Sequence, residues 1–281
     1  YLYPARDHVG ALEIVDLGIP NAAVVDSGVA DFLVEAEDAA GFLPRWKGDA
    51  HKGTRGRLVL VGGSVGLTGA VTLASLAALR AGAGLVTAGV PERLNDILEV
   101  KLTEAMTLPL PEGAGRWMSA AGLPILETFV ENRPAAFVVG PGIGRAAETQ
   151  ELVRGILARI SGPKVLDADG LHAFNGRAEE LKAAAGAGPL VLTPHAGEAA
   201  RLFGIDAAEL AAKRIDIAAE RAEELGAIVV LKGAPTIIAS PEGETFLNPT
   251  GGPALATGGT GDVLAGLIGG FLAQGLNPLH A

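Results

Sequence analysis

The chain has no cysteine, which excludes disulfides, thiolate nucleophiles and cysteine-held metals, and fits a reducing cytoplasm. Positive charge is scarce too: 22 Lys and Arg stand against 32 Asp and Glu, a formal net charge of −10. Broad affinity for nucleic acid or acidic membrane is therefore not expected. An anionic ligand needs a local pocket of backbone amides and a few chosen cations. Long apolar runs are lacking as well. The one uncharged run, residues 263–281, is interrupted by Gly269, Gly270, Gln274, Asn277 and Pro278, so it reads as a buried helix and a turn rather than a membrane span. No secretory signal pattern is visible, and the first residue is not Met, so a trimmed or processed start is expected. His8, His51, His172 and His280 show no ligand spacing, and no zinc-type site is expected.

What is present is a chain of 281 residues, 49% hydrophobic and 19% charged, enough for one large α/β domain or two small ones with a well-filled core. The chain is organised around residues 250–275. Gly251, Gly252, Gly258, Gly259 and Gly261 form a glycine-dense loop, and Val263, Leu264, Leu267, Ile268, Phe271 and Leu272 then repeat at helical spacing. Asp262 falls in the first turn of that helix. A helix start offers unpaired N–H groups and a positive dipole end, and glycines let a phosphate approach the backbone. An acid there can act as base on a hydroxyl delivered beside the phosphate. Alone, the same pattern also suits a tight turn with a plain first-turn acid.

Along the chain, residues 12–17 are strand-like and 21–50 form an acidic connection with a short helix expected near residues 29–36. From residue 51 an α/β rhythm sets in. Apolar strands are expected at residues 58–61, 85–90, 136–139, 164–166, 190–193 and 228–231. Helices are expected at residues 68–81, 147–160, up to 203, and as one long amphipathic helix over 208–225. Residues 92–132, with three prolines, should hold short helices and loops. A hairpin is expected around Pro241, Glu242 and Gly243. Strands alternating with helices give a mostly parallel sheet covered on both faces. Gly63 and Ser64, Gly142, Ile143 and Gly144, Asp167 and Asp169, His195, Lys232 and Asp262 each follow a strand's carboxyl end, where open α/β sheets bind ligands, so they should converge. The spacing of Asp167 and Asp169 puts both on one side of a strand end, where they could serve magnesium through water. Lys52 could equally decorate an exposed loop, and Gly62-Gly63-Ser64 lacks the lysine of a full Walker pattern, so no P-loop is assigned.

Taken in order, His51-Lys52-Gly53, Gly62-Gly63-Ser64, Gly69-Ala70, residues 80–86 (RAGAGLV), Gly140-Pro141-Gly142-Ile143-Gly144, Asp167-Ala168-Asp169, Leu192-Thr193-Pro194-His195, Leu231-Lys232-Gly233 and residues 258–262 (GGTGD) resemble the carbohydrate-kinase-like ADP/ATP-dependent NAD(P)H-hydrate dehydratases. The resemblance covers residues 51–281. It implies a ribokinase-like α/β fold and dehydration of hydrated NADH and NADPH (NADHX and NADPHX) back to the reduced cofactors. ADP or ATP is the co-substrate with Mg2+, and in the ADP form AMP is the product. It implies Asp262 as the base, with Ala70, Gly144, His195 and Asp262 on the substrate. Lys232, Gly233, Ala234, Pro235, Thr236, Gly258, Gly259, Thr260 and Gly261 would hold the nucleotide, and the metal ligands stay open. Residues 1–20 resemble the end of an upstream NAD(P)H-hydrate epimerase domain, residues 21–50 a connecting segment, and the domain is expected to continue past residue 281. A cytoplasmic homo-oligomer, a tetramer, is the implied assembly. Two rivals stand beside this reading: a vitamin or sugar kinase of the same fold, and a non-catalytic nucleotide-binding module.

Overall fold

A computed structural model of the chain describes residues 5–11, 13 and 15–281. Ten strands form one sheet: β1 (Asp31–Leu33), β2 (Arg57–Val61), β3 (Leu85–Pro91), β4 (Met106–Leu110), β5 (Ala136–Val139), β6 (Lys164–Leu166), β7 (Leu190–Leu192), β8 (Ile228–Leu231), β9 (Thr236–Ala239) and β10 (Thr245–Asn248). Their order is β1-β10-β9-β8-β7-β6-β5-β2-β3-β4. Every neighbouring pair is parallel except those made by β9, which opposes both β8 and β10. Strands buried on both faces explain the unbroken apolar runs of the sequence. Within β2, Val59 and Val61 enter the core on one face while Leu58 and Leu60 enter the core on the other.

The chain leaves β2 for β3 and β4 on one side, then returns to β5 on the other side of β2. The β2–β5 boundary is therefore the topological switch point, and a crevice is expected beyond the carboxyl ends of those two strands. Two helices converge there, Thr68–Ala81 and Thr260–Ala273. They approach closely because the second buries small residues. A Cβ at Gly266 would overlap the Ala74 carbonyl, and one at Gly270 would stand 2.9 Å from the Ala78 carbonyl oxygen. Gly269 turns toward the sheet, where a Cβ would press on Val138 and stand 3.2 Å from Leu58 Cδ1. Val263, Leu264, Leu267 and Phe271 are only half-buried, so the helical spacing was legible but the buried face combines Ile268 and Leu272 with glycine and alanine.

Four expectations need correction. Residues 31–33 form β1 and the helix comes later, at Ala36–Phe42. The stretch 92–132 contains a strand, β4, whose Pro109 is tolerated because β4 is a sheet edge. The single helix over 208–225 is two, Ala207–Ala212 and Arg214–Leu225, broken where Lys213 adopts φ −127 and ψ 38. In the strand-like run at 12–17, Leu12 and Ile14 lie outside the described residues and the remaining positions carry no regular structure.

Candidate active site

The loops after β2 and β5 meet at the switch point. Gly63 N donates to the Pro141 carbonyl at 2.9 Å, and Ser64 Oγ donates to the Gly142 carbonyl at 2.8 Å. Gly142 has φ +63, and a Cβ there would stand 3.0 Å from that of Ala70. Gly144, at φ +83, faces Ser64. Ala70, Ser64, Gly142 and Gly144 therefore form one wall. Gly140, at φ +127, brings this wall against the next loop, since a Cβ on it would overlap the Asp167 carbonyl.

Asp167 follows β6 and is 1% exposed. Its Oδ1 accepts from Thr193 Oγ1 at 2.7 Å and from Lys232 Nζ at 2.9 Å. Lys232, which follows β8, also lies 3.9 Å from Glu198 Oε2. Its backbone N–H donates to the Pro194 carbonyl, which places it beside His195. A Cβ on Gly261 would stand 3.4 Å from the same ammonium. The wall opposite the β2 and β5 loops thus gathers Asp167, Glu198, Lys232 and the start of the Thr260–Ala273 helix.

Gly259 caps that helix with φ +94, and Thr260 Oγ1 donates to the carbonyls of Leu255 and Thr257, which fixes the incoming loop. Gly258 has nothing within 4 Å of where a Cβ would stand. Asp262 lies in the first turn, half-buried. Burial pushes its carboxyl above the usual range, the negative charge of Asp167 pushes it further, and Lys232 pulls it back. The result is a carboxylate whose affinity for a proton is raised, beside open glycine amides.

His195 caps the Ala196–Phe203 helix: Nδ1 accepts from Gly197 N at 3.0 Å and Glu198 N at 3.4 Å, and Glu198 Oε2 accepts the His195 N–H at 2.9 Å. With Nδ1 an acceptor, the neutral ring carries its proton on Nε2. Residues 233–236 are shaped by Arg214, which the sequence reading did not single out. Its Nη2 donates to the Pro235 carbonyl at 3.1 Å, a Cβ on Gly233 would overlap its guanidinium, and burial lowers its pKa. Thr236 Oγ1 closes the turn on the Gly233 carbonyl. Ala234 and Pro235 line a cavity of about 180 Å³ with Lys213 and Arg214, apart from the carboxylates.

One sequence reading changes, and for Lys52 one of two alternatives is left. Ala168, at φ +50, turns Asp167 and Asp169 to different partners: Asp167 faces Lys232 inside, and Asp169 Oδ1 accepts from Arg145 Nε at 2.6 Å. They do not share one side of a strand end. The His51-Lys52-Gly53 loop packs under Gly84 at the amino end of β3, so Lys52 is at the opposite edge from the crevice. Thr193 and Glu198 join the site through Asp167 and Lys232; their Thr-Pro-His-Ala-Gly-Glu segment was visible in sequence, but not what they touch. Among the described residues no group of three or more His, Asp or Glu is placed to hold a metal by itself, and no helix is long and apolar enough to cross a membrane.

The sequence profile of the NAD(P)H-hydrate dehydratases matches residues 58–281. The chain belongs to the NAD(P)H-hydrate dehydratase family. A Moorella thermoacetica bifunctional NAD(P)H-hydrate repair enzyme is 47% identical over 277 residues, 98% of this chain and 51% of that one. The chain thus spans about half the length of the bifunctional relatives it matches. The Bacillus subtilis ADP-dependent (S)-NAD(P)H-hydrate dehydratase is 37% identical over 245 residues, 87% of this chain and 82% of that one. Among solved structures, an Enterococcus faecalis ribokinase-like superfamily protein superposes with a TM-score of 0.73 at 28% identity, covering 89% of this chain and 82% of that one. The Bacillus subtilis ADP/ATP-dependent dehydratase co-crystallised with ATP and Mg2+ gives 0.71 at 34% identity, covering 87% and 82%. The fold of the dehydratase family is thus ribokinase-like, as the sequence motifs implied, and the family match favours a dehydratase over a vitamin or sugar kinase.

Proposed function

We propose that this chain dehydrates hydrated NADH and NADPH back to the reduced cofactors, with ADP as phosphoryl donor and AMP as product. The observation that carries the reaction is Asp262, a carboxylate with raised proton affinity in the first turn of a helix entered through an open glycine loop, with Lys232 close by. The dinucleotide occupies the side of Ala70, Gly144 and His195. The nucleotide lies on Lys232, Gly233, Ala234, Pro235 and Thr236, with its terminal phosphate on Gly258, Gly259, Thr260 and Gly261. Asp262 takes the proton from the ring hydroxyl as its oxygen attacks the terminal phosphorus, and AMP departs. Backbone N–H groups at the helix start hold the charge on the transferred group. The phosphorylated carbon neighbours the ring nitrogen, so the nitrogen lone pair forms the new double bond, expels inorganic phosphate, and the ring loses a proton to restore the dihydronicotinamide.

Magnesium fits this arrangement. Lys232 Nζ reaches both Asp167 and Glu198, so their oxygens already surround a cationic point. Magnesium is commonly held by one or two carboxylates plus substrate phosphates. Asp167 and Glu198 would hold it beside the Lys232 ammonium, where it would neutralise phosphate charge. A homo-oligomer, a tetramer by family resemblance, in a reducing cytoplasm completes the reading. Relatives of about twice this length are named bifunctional repair enzymes, which supports an epimerase domain upstream of residues 1–20 in the same polypeptide. The decisive experiment uses hydrated NADH carrying labelled oxygen in the ring hydroxyl. Reduced nicotinamide, AMP and phosphate should appear one for one, with the label in phosphate. Label in water, or a phosphorylated dinucleotide that accumulates, overturns the mechanism.

A further inference from the structure

On the dinucleotide side of the crevice, two arginines stand outside the machinery described so far. Arg145 follows Gly144 directly. Asp169 accepts its hydrogen bond at Nε, so both terminal amino groups of the guanidinium remain unbonded. Arg201 lies on the Ala196–Phe203 helix and has no hydrogen bond or ion pair among the described residues. Its Nη1 is 3.7 Å from the point where a Gly197 Cβ would stand, and His195 Cε1 is 3.1 Å from that point. Arg145, Arg201, Glu198 and His172 line one small hollow over Ala168. Glu198 also reaches toward Lys232 at 3.9 Å, so it stands between this hollow and the phosphoryl-transfer side.

The charge balance makes this pair informative. The crevice holds four carboxylates, Asp167, Asp169, Glu198 and Asp262, in a chain of net charge −10. Lys232 is committed to Asp167 and the nucleotide side. A dinucleotide with a doubly charged phosphate bridge needs cations on its own side, and a guanidinium held at Nε offers its remaining donors as a fork matched to phosphate oxygens. We propose that Arg145, aimed by Asp169, and Arg201 clamp the phosphate bridge of the hydrated dinucleotide; this rests on the dehydratase reading above. The strained backbone at Ala168 then has a use, because it sends Asp167 to the reaction side and Asp169 to the clamp.

The test is steady-state kinetics of Arg145→Ala, Arg201→Ala and Asp169→Asn with hydrated NADH, hydrated NADPH and the hydrated form of reduced nicotinamide riboside, which has the ring but no phosphate. Each arginine variant should raise KM for both dinucleotides about 10-fold, with kcat within roughly threefold and KM for ADP unchanged. Riboside turnover should be equal in wild type and variants. Asp169→Asn should raise KM in the wild-type background and add nothing in Arg145→Ala, as expected of a positioning residue. Unmoved dinucleotide KM, an effect confined to hydrated NADPH (a 2′-phosphate contact), or an equal loss on the riboside each overturns the clamp. If wild type fails to turn over hydrated NADH, the functional reading falls instead. Calorimetric binding of NADH to the same variants then decides the clamp, with unchanged affinity overturning it.

Discussion

Two glycine-rich loops meet at the crevice, and their glycines serve different ends. In the loop after β5, a Cβ on Gly140 would overlap the Asp167 carbonyl, and one on Gly142 would stand 2.6 Å from the Leu67 carbonyl oxygen; both residues have positive φ. In the loop before the Thr260–Ala273 helix, Gly258 has open space, and Gly261 has only the Lys232 ammonium in front of it. The first loop needs glycine because protein backbone fills the space of a side chain. The second keeps open space at Gly258 and, but for the Lys232 ammonium, at Gly261, which is what a ligand-binding loop requires, while Gly259, at φ +94 with Leu73 Cδ1 2.6 Å from where its Cβ would stand, is glycine for the turn itself. Composition cannot separate these cases, but the surroundings of each missing Cβ can.

This contrast can be tested by substitutions on each side of it. The largest effect expected is on turnover: Asp262→Asn, at the open loop, should lower kcat about 100- to 10,000-fold, as loss of a general base does. Circular dichroism and ADP binding should be nearly unchanged. Activity within roughly threefold of wild type would remove Asp262 from the role of base. At the packed loop, Gly140→Ala combines positive-φ strain with overlap on a carbonyl. It should cost about 3–5 kcal/mol and lower Tm by roughly 10 °C. A Tm within about 2 °C of wild type would show that the loop yields without strain. Gly261→Val should show the reverse pattern, with KM for ADP rising about 10-fold or more while Tm holds, because the added methyls enter ligand space. A lower Tm with unchanged ADP affinity would make this glycine structural.

The smallest effect is a pH-dependent shift in stability. The carboxyl of Asp262 has a higher pKa in the folded chain than in the unfolded one. The native state therefore keeps a proton that the unfolded state has lost, and stability falls as pH rises through that window. At neutral pH the ionised Asp262 weakens the fold, so Asp262→Asn should melt slightly higher than wild type, and the gap should close in acid. A gap that widens on acidification would reverse the sign of the shift.

Much of the framework was legible because its signals are local. The apolar runs of β2, β5 and β8 and the placing of Asp262 in a first helical turn all follow from spacing within a dozen residues. What stayed hidden depends on contacts across the sheet. Nothing near Asp167 in sequence says that Thr193 and Lys232 share its Oδ1, since those residues lie on three separate loops. Nor could spacing alone divide Asp167 from Asp169, because a residue at φ +50 between them breaks the alternation on which the expectation rested. Arg214 reads in sequence as one more helix cation, and its hold on the Pro235 carbonyl is visible only once β9 has folded back.

The strand β1 has a bearing on where this folded unit can be divided. It lies before residue 50, in a stretch that reads as connection, yet Asp31, Phe32 and Leu33 pair in register with Thr245, Phe246 and Leu247 of β10. The Arg6 guanidinium also donates to the Pro249 carbonyl at 3.1 Å, close to the glycine loop. Cutting the chain at residue 51 would strip β10 of its outer partner and leave a row of unpaired N–H and C=O groups facing solvent, a template for association with other chains. Residues 31–33 therefore serve as a short outermost strand that shields the longer edge of β10, and self-association after their removal would follow from exposing that edge.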